Sequence, residues 1–529
     1  MMLKNTKLWK RLALSCAISL LLTGCNFAIQ SSTPTPTATV TALPTATSTA
    51  TAAPTLTPTV TSTPAPTLTP TITHTPTLIP PPTIAPTPSA TPYPVIGFTN
   101  DQWTSLAVPD VLQTDLDRSY FAIASANERI GGTSNPETPV PTNEVETLYL
   151  VDPSSGELIE LLDLPVNADD RIYWSPLGDH LVYFLDPILL PDNTLAGGLY
   201  LVNLRLGVSL RLFDMESLSP RGIPDHRPVW SPDGSQFVVA LPTAYDVDIF
   251  VISADGTVFR NLTGHGAYDL WPSWSPDGRR LAFVSDRDTC ATWMPGEPGS
   301  CSTLDTDPPR SGQLYVMDVT TGQTQRVSEI PVDSPPVWVS NLQVAFTSGL
   351  SDPFATETAV WLTNVQGGTA RQVSDSGALN LGAAWAPGGV QVLYHQVSDP
   401  ASLVLKDSAG TRINSTDQYL FLRYGFAASW SPGGDRVAFA GRNGQCPYGL
   451  VVAVNTLEIV STATTPRACD PIYSPDGRWL AFAGIQTLTG AADGRLDLYI
   501  ADQNGYSAHN LTSRLKGDIR LIGWVGPAS

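Results

Sequence analysis

The chain has 529 residues, with 29 Lys and Arg against 48 Asp and Glu for a net charge of −19. That balance argues against a nucleic-acid binder, whose phosphate contacts need clustered Lys and Arg, and a charged fraction of only 15% is too low for a coiled coil. The 48 Pro and 41 Gly disfavour long helices and leave a Pro-punctuated, β-rich protein.

In chain order, residues 1–24 read as an export signal. Lys4, Lys7, Lys10 and Arg11 precede an apolar run, Leu12 to Leu22, that is too short to span a bilayer. The run ends at Leu22-Thr23-Gly24-Cys25, which resembles the bacterial lipobox. The resemblance implies cleavage before Cys25, a lipid on that cysteine and a membrane anchor facing the extracytoplasmic side, at the cell surface or in the periplasm. Asn26 does not specify the membrane or the leaflet. Removing the four signal cations leaves 25 basic and 48 acidic residues, a net of −23, and the first acid is Asp101. A cationic partner, or none, is therefore expected rather than an anionic one.

Residues 25–97 form the second segment. From Ser31 to Pro94 there are 16 Pro and 23 Thr and no charged side chain. Such a composition buries too little apolar area to offset its ordering entropy. Proline biases it toward polyproline II, so its contour reaches roughly 200 Å at about 3.1 Å per residue. It reads as a disordered spacer between membrane and folded part, and its Thr density permits O-glycosylation.

Residues 98–529 carry an internal repeat. An aromatic followed by a Pro/Gly turn occurs as Trp174-Ser175-Pro176-Leu177-Gly178, Trp230-Ser231-Pro232-Asp233-Gly234 and Trp274-Ser275-Pro276-Asp277-Gly278. It recurs as Trp385-Ala386-Pro387-Gly388-Gly389, Trp430-Ser431-Pro432-Gly433-Gly434 and Tyr473-Ser474-Pro475-Asp476-Gly477, with a degenerate copy at Trp338. The intervals are 56, 44, 64, 47, 45 and 43 residues. An apolar strand ending in Asp, Asn or Ser before a turn recurs eight times, at Asp152, Asn203, Ser253, Asp318, Asn364, Asp407, Asn455 and Asp502. A third, short apolar strand such as Leu281 to Ser285 follows the Pro/Gly turns. A four-strand unit of about 40–50 residues marks a β-propeller blade. These units resemble the WD-like repeats of the TolB-type β-propeller family over roughly residues 115–529. In that family the motif marks the blade and its packing rather than a catalytic site.

The ends set the expected blade count. Ser119 to Ser125 lacks a preceding aromatic strand, and Leu521 to Gly526 has an aromatic strand with nothing after it. Pairing them completes an all-β, eight-bladed propeller of four-stranded blades, with seven blades as the alternative; closure removes open sheet edges. Trp103 and residues 98–114 fall outside the repeat.

Strand alternation puts the second-to-third loops on one face, and several are long: Asn127–Val145, Asp186–Gly198, Asp286–Gly312, Gly349–Thr358 and Ile485–Arg495. Long loops on a rigid scaffold are where binding resides. Asp169, Asp225, Asp269 and Asp333 each lie five residues before the blade aromatic, with Asn380 in that place before Trp385. Together they are a candidate ligand-binding ring around the channel mouth; the competing reading is that each side chain caps the turn entering the inner strand. Cys290, Cys301, Cys446 and Cys469 allow three disulfide pairings, of which 290–301 with 446–469 closes the shortest loops and is expected outside the cytoplasm. No zinc spacing is present; His226 and His265 precede adjacent inner strands, where surface histidines are expected rather than a metal site.

Hydrolase, metalloprotease and nucleotide-binding signatures are absent from the sequence. The expectation is a monomeric, membrane-anchored lipoprotein whose propeller binds an envelope or extracellular protein or peptide without catalysis, cofactor or metal. Two alternatives are a propeller hydrolase, for example a carbohydrate-active one, using Asp225, Asp269 and Asp333, and cation-stabilised ligand binding at the channel mouth.

Overall fold

The computed structural model describes residues 102–106, 118–126, 145–165, 172–189, 195–213, 227–243, 245–302, 309–350, 355–397, 401–417, 427–442, 445–461, 467–485, 496–515 and 519–526. All lie in the second of the two units into which the chain divides, Ala85–Ser529. Residues 1–24, Cys25, the Thr/Pro-rich segment, Asp169, Asp225 and His226 lie outside the described residues.

The chain is all-β and its strands pair antiparallel in groups of four, each in repeat order. The first group joins Ile519–Val525 to Tyr120–Ala126, Val145–Val151 and Leu158–Pro165. The second holds Ile172–Trp174, His180–Leu189, Leu195–Asn203 and Val208–Phe213. The third and fourth hold Val229–Trp230, Gln236–Thr243, Asp246–Ser253 and Phe259–Asn261, then Asp269–Trp274, Arg280–Ser285, Gln313–Asp318 and Thr324–Arg326. The fifth runs Val337–Ser340, Gln343–Ser348, Ala359–Asn364 and Arg371–Gln372, and the sixth Leu379–Trp385, Gln391–Val397, Ser402–Asp407 and Arg412–Thr416. The last two hold Ala427–Trp430, Arg436–Arg442, Gln445–Ala453 and Ile459–Ser461, then Arg467–Tyr473, Trp479–Ile485, Leu496–Asp502 and His509–Asn510. The architecture is propeller-like.

The middle strands are apolar on both faces because neighbouring sheets cover both. Phe237, Val238, Val239 and Ala240 are all fully buried. Phe237 and Val239 pack toward Phe184, Leu199 and Leu201 of the second group, while Val238 faces Leu281 and Phe283 of the fourth. Each such Phe or Val stabilises the stack by about 1.5–3 kcal/mol.

The aromatic of the repeat has a second task that explains the preference for tryptophan. The indole N–H of Trp230 donates to the carbonyl of Tyr173 (3.0 Å), Trp274 to Val229 (2.9 Å) and Trp338 to Ser273 (2.9 Å). Trp430 donates to Ala384 (3.1 Å) and Trp524 to Ile472 (3.1 Å). In these five cases the acceptor is the residue just before the aromatic of the preceding group, whereas Trp174 donates to Gly178 O of its own turn (3.0 Å). The indole therefore stitches one inner strand to the next. Tyr473 cannot make this bond; its backbone N–H donates instead to Ser429 Oγ (3.0 Å), a side chain at the same pre-aromatic position.

The turn after the aromatic is held by a buried serine. Ser231, Ser275 and Ser474 donate their hydroxyls to Asp233, Asp277 and Asp476, each at 2.6 Å. The same hydroxyls accept the backbone N–H of Gln236, Arg280 and Trp479. Where Leu177 or Gly433 replaces the turn aspartate, Ser175 and Ser431 turn to Asp179 (3.1 Å) and Asp435 (2.9 Å), two residues further on. The carboxylate is thus retained by moving it. At the third-to-fourth hairpin, on the same face, the strand-ending side chains of Asp152, Asn203, Asp318 and Asp502 accept backbone N–H groups two to four residues ahead.

Closure uses the two ends of the folded region. Tyr120 pairs with Val525 and Phe121 with Trp524, whose rings meet edge to face at 5.2 Å. Across the same sheet Arg520 forms an ion pair with the largely buried Glu146.

One expectation, the loop at Asp186–Gly198, is corrected, and two features are added. Residues 102–106, outside the repeat, are part of the fold: Thr104–Ser105 adds a fifth strand to the second group, and Trp103 packs beside Leu210 and Gly256. This extra strand covers a sheet edge. The expected loop at Asp186–Gly198 is mostly strand, since His180–Leu189 and Leu195–Asn203 continue pairing past a bulge at Leu185. Finally, Cys446 and Cys469 are bonded to each other as expected, and they join the seventh group to the inner strand of the eighth. Beside them Gly441 bridges to Cys469, so these two groups form one continuous eight-stranded sheet.

Candidate recognition rim

The face opposite the Ser-Pro turns is best described where the third and fourth groups meet. Here the chain between Arg280–Ser285 and Gln313–Asp318 is long, and its first part is closed by the disulfide Cys290–Cys301. The loop is anchored from below by Asp286. One carboxylate oxygen accepts the backbone N–H of Tyr268 and the other the indole N–H of Trp293, both at 2.8 Å. Trp293 is buried, meets the Tyr268 ring edge to face at 4.9 Å, and donates its backbone N–H to Gly266 O at 2.9 Å. Within the loop Cys301 N–H donates to Thr292 O at 3.0 Å. Met294, the next residue, projects outward at 51% exposure. The loop is thus a rigid platform whose base is buried and whose tip is exposed.

Asp248 organises the linker that enters the fourth group. Its carboxylate accepts the Asn261 amide (2.7 Å), the Thr263 hydroxyl (3.0 Å) and the backbone N–H of His265 (3.0 Å). Asp497 takes the same role in the eighth group, with Asn510 (2.9 Å) and Thr512 (2.8 Å). The repeated tripeptides Asn261-Leu262-Thr263 and Asn510-Leu511-Thr512 are the sequence signal of this clamp.

The three described ring positions do not share one environment. Asp269 is fully buried and ion-paired with Arg287, whose Nη2 reaches both carboxylate oxygens at 2.9 and 3.0 Å. Arg287 also lies over the rings of Phe283 (5.3 Å) and Tyr315 (4.8 Å). Asn380 is likewise fully buried; its amide donates to the carbonyls of Thr358 (2.7 Å), Asp375 (3.0 Å) and Ala378 (3.0 Å). Asp333 is half-buried in the linker entering the fifth group, next to Val332, which exchanges two backbone bonds with Gly312.

Sequence reasoning also missed the bulge on the inner strand. Trp271, Gly382 and Asp470 each sit three residues before the aromatic with φ of 52°, 62° and 51°. Register shifts at these places displace the strand between the ring position and the aromatic. Only glycine takes that conformation without strain, so Trp271 and Asp470 are held there by their surroundings.

Burial sets the acid–base character of the rim. It pushes the carboxyls of Asp248 and Asp286 up, with the Asp269 charge adding to each. Asp246 is raised to about 6 by burial against the pull of its Thr243 hydrogen bond, with the charges of Asp248 and Asp269 adding to the rise. Burial, and then the Arg287 charge, lower His265. Asp248, Asp269 and Asp286 are committed to bonds within the protein. Among the described residues no group of three or more His, Cys, Asp or Glu is placed to hold a metal ion.

Residues 222–294, which span the third group and the start of the fourth, match the family described as TolB beta propeller domain. No curated protein matches the chain. Solved structures similar to it include a eukaryotic initiation factor at 13% identity, covering 73% of this chain and 88% of that one with a TM-score of 0.47. TolB from Acinetobacter baumannii matches at 15% identity, over 76% of this chain and 81% of that one, with a TM-score of 0.32. Oligogalacturonate lyase from Vibrio parahaemolyticus matches at 12% identity, over 73% and 98%, with a TM-score of 0.40.

Proposed function

We propose that this TolB-like propeller is a non-catalytic recognition scaffold: an eight-bladed ring, anchored through a lipid on Cys25 and held off the membrane by its Thr/Pro-rich segment. Its binding surface is the rim where the third and fourth groups meet. The observation that carries this reading is the Cys290–Cys301 platform, which spends a disulfide, a buried tryptophan and both oxygens of Asp286 on holding an exposed loop in one shape. Preorganisation of that kind lowers the entropic cost of binding a partner.

The partner is expected to be an envelope or extracellular protein or peptide with basic and apolar side chains. Exposed Met294 supplies an apolar contact, the neighbouring Glu297 is acidic, and the chain carries a net of −23 beyond residue 24. Asp333, with Asp169 and Asp225, extends the candidate ring for such a partner. The hydrolase alternative loses its central carboxylate, because Asp269 is buried and neutralised by Arg287. Glycosidases need two carboxyls about 5–10 Å apart with access to substrate.

The test is a crosslinking pulldown from the native envelope with the full chain and with a variant whose residues 291–300 are replaced by Gly-Ser. Recovery of one partner by the full chain and its loss in the variant supports the rim. Equal recovery by both overturns it. Lipid labelling that persists in Cys25→Ala would overturn the anchor.

A further inference from the structure

The opposite end of the inner-strand bundle holds a cavity of about 590 Å3 that is separate from the rim. It is lined by the inner strands and Ser-Pro-type turns of the fourth to seventh groups, among them Trp338, Trp385, Trp430, Ser429, Pro276 and Pro387. None of its lining residues is charged. The strands Val337–Ser340, Leu379–Trp385 and Ala427–Trp430 are each the terminal strand of their group, so each has one edge outside any sheet ladder.

We infer that this cavity, lined by Trp338, Trp385 and Trp430 and by the free edges of three inner strands, is a binding site for a short neutral oligosaccharide. The size lies within the range of small-ligand sites, about 300–1,000 Å3. The absence of charge disfavours a phosphate, carboxylate or ammonium ligand, which would lose hydration with no counter-charge to replace it. Ala384 O at these edges already accepts the Trp430 indole N–H, but the backbone groups of the edges that no ladder pairs disfavour a purely apolar ligand, which would leave them dry. A peptide strand would need one continuous edge, whereas these edges come from three different sheets. Hydroxyls radiating from a sugar ring meet donors and acceptors on several sides, and the partly exposed indoles of Trp338 and Trp385 supply the flat apolar surface that its C–H faces require, while Trp430 is buried behind them.

The indoles are also the reporter. The full chain is titrated with chitotriose, with maltotriose and with tri-galacturonate while tryptophan fluorescence is followed. The inference expects a saturable change with at least one neutral trisaccharide and none with the charged one at equal concentration. Trp385→Ala should weaken the response at least tenfold. Ala383→Leu keeps every indole, crowds one wall of the cavity and guards against misfolding of the first variant; it should weaken binding severalfold with an unchanged circular dichroism spectrum and melting temperature. No saturable response to either neutral sugar up to 50-fold above a typical millimolar affinity (about 50 mM), or an equal response in Ala383→Leu, overturns the inference. Neither outcome bears on the rim, which is read by the pulldown.

Discussion

Replacing Asp269 by Ala separates a structural carboxylate from a functional one. Asp269 is fully buried and Arg287 is 15% exposed in side-chain terms, with two contacts of 2.9 and 3.0 Å between them. At about 4 Å and an effective dielectric of about 20, a unit charge pair is worth about 4 kcal/mol, most of it spent on desolvation. Removing one partner strands the other. The alanine variant then leaves a guanidinium against Phe283 and Tyr315, and breaking a buried pair costs about 3–5 kcal/mol. Replacing both partners, Asp269→Leu with Arg287→Met, should recover most of that loss. Urea unfolding at pH 7.5, followed by intrinsic fluorescence, reads the first transition of each variant. A loss below about 1 kcal/mol in Asp269→Ala, or a double variant no better than the single, would refute the pair as a packing element and return Asp269 to the list of candidate catalytic groups.

Other substitutions test other parts of the structure. Trp274→Phe keeps the ring but removes the N–H that reaches Val229 O; it should cost about 1–2 kcal/mol in the same unfolding assay. Ser275→Ala, which removes one of the donors to Asp277 and the acceptor of the Arg280 N–H, should cost a similar amount, about 1–2 kcal/mol, and an unchanged midpoint would contradict the turn account. Asp246 holds its proton more tightly folded, at about 6, than unfolded, near 3.8, so ionisation opposes folding and stability falls as pH rises between those values. Asp246→Asn should therefore be more stable than the parent by about 1 kcal/mol at pH 8, allowing for partial solvent exposure, and no more stable at pH 4. Melting curves at the two pH values check the sign. Cys290→Ser with Cys301→Ser should speed amide exchange at Trp293 and Cys301→Ser while the eighth-group strands keep their protection.

The repeat made the sheets legible because its residues act locally. A Ser-Pro-Asp-Gly turn writes its own hydrogen bonds within six residues, and a strand such as Phe237 to Ala240 declares its two-sided burial in its own composition. Ring closure was readable from the unmatched strands at Tyr120 and Trp524. What stayed hidden depends on partners far along the chain. The Asp248 clamp needs Asn261 and Thr263, and the pairing of Thr104 with Ser209 spans more than one hundred residues with no periodic signal. Asp269 and Asn380 looked equivalent by spacing, yet one meets a guanidinium and the other three carbonyls. Spacing fixes a position on the strand, and the opposing side chain decides its chemistry.

Hydrogen–deuterium exchange of the full chain, free and bound to the recovered partner, is the most direct test of the rim as the recognition surface. Slowed exchange concentrated in residues 262–268 and 286–302 is the predicted result. Protection confined to the turns at 175–178, 276–278, 340–343 and 386–390, on the other face, would contradict it.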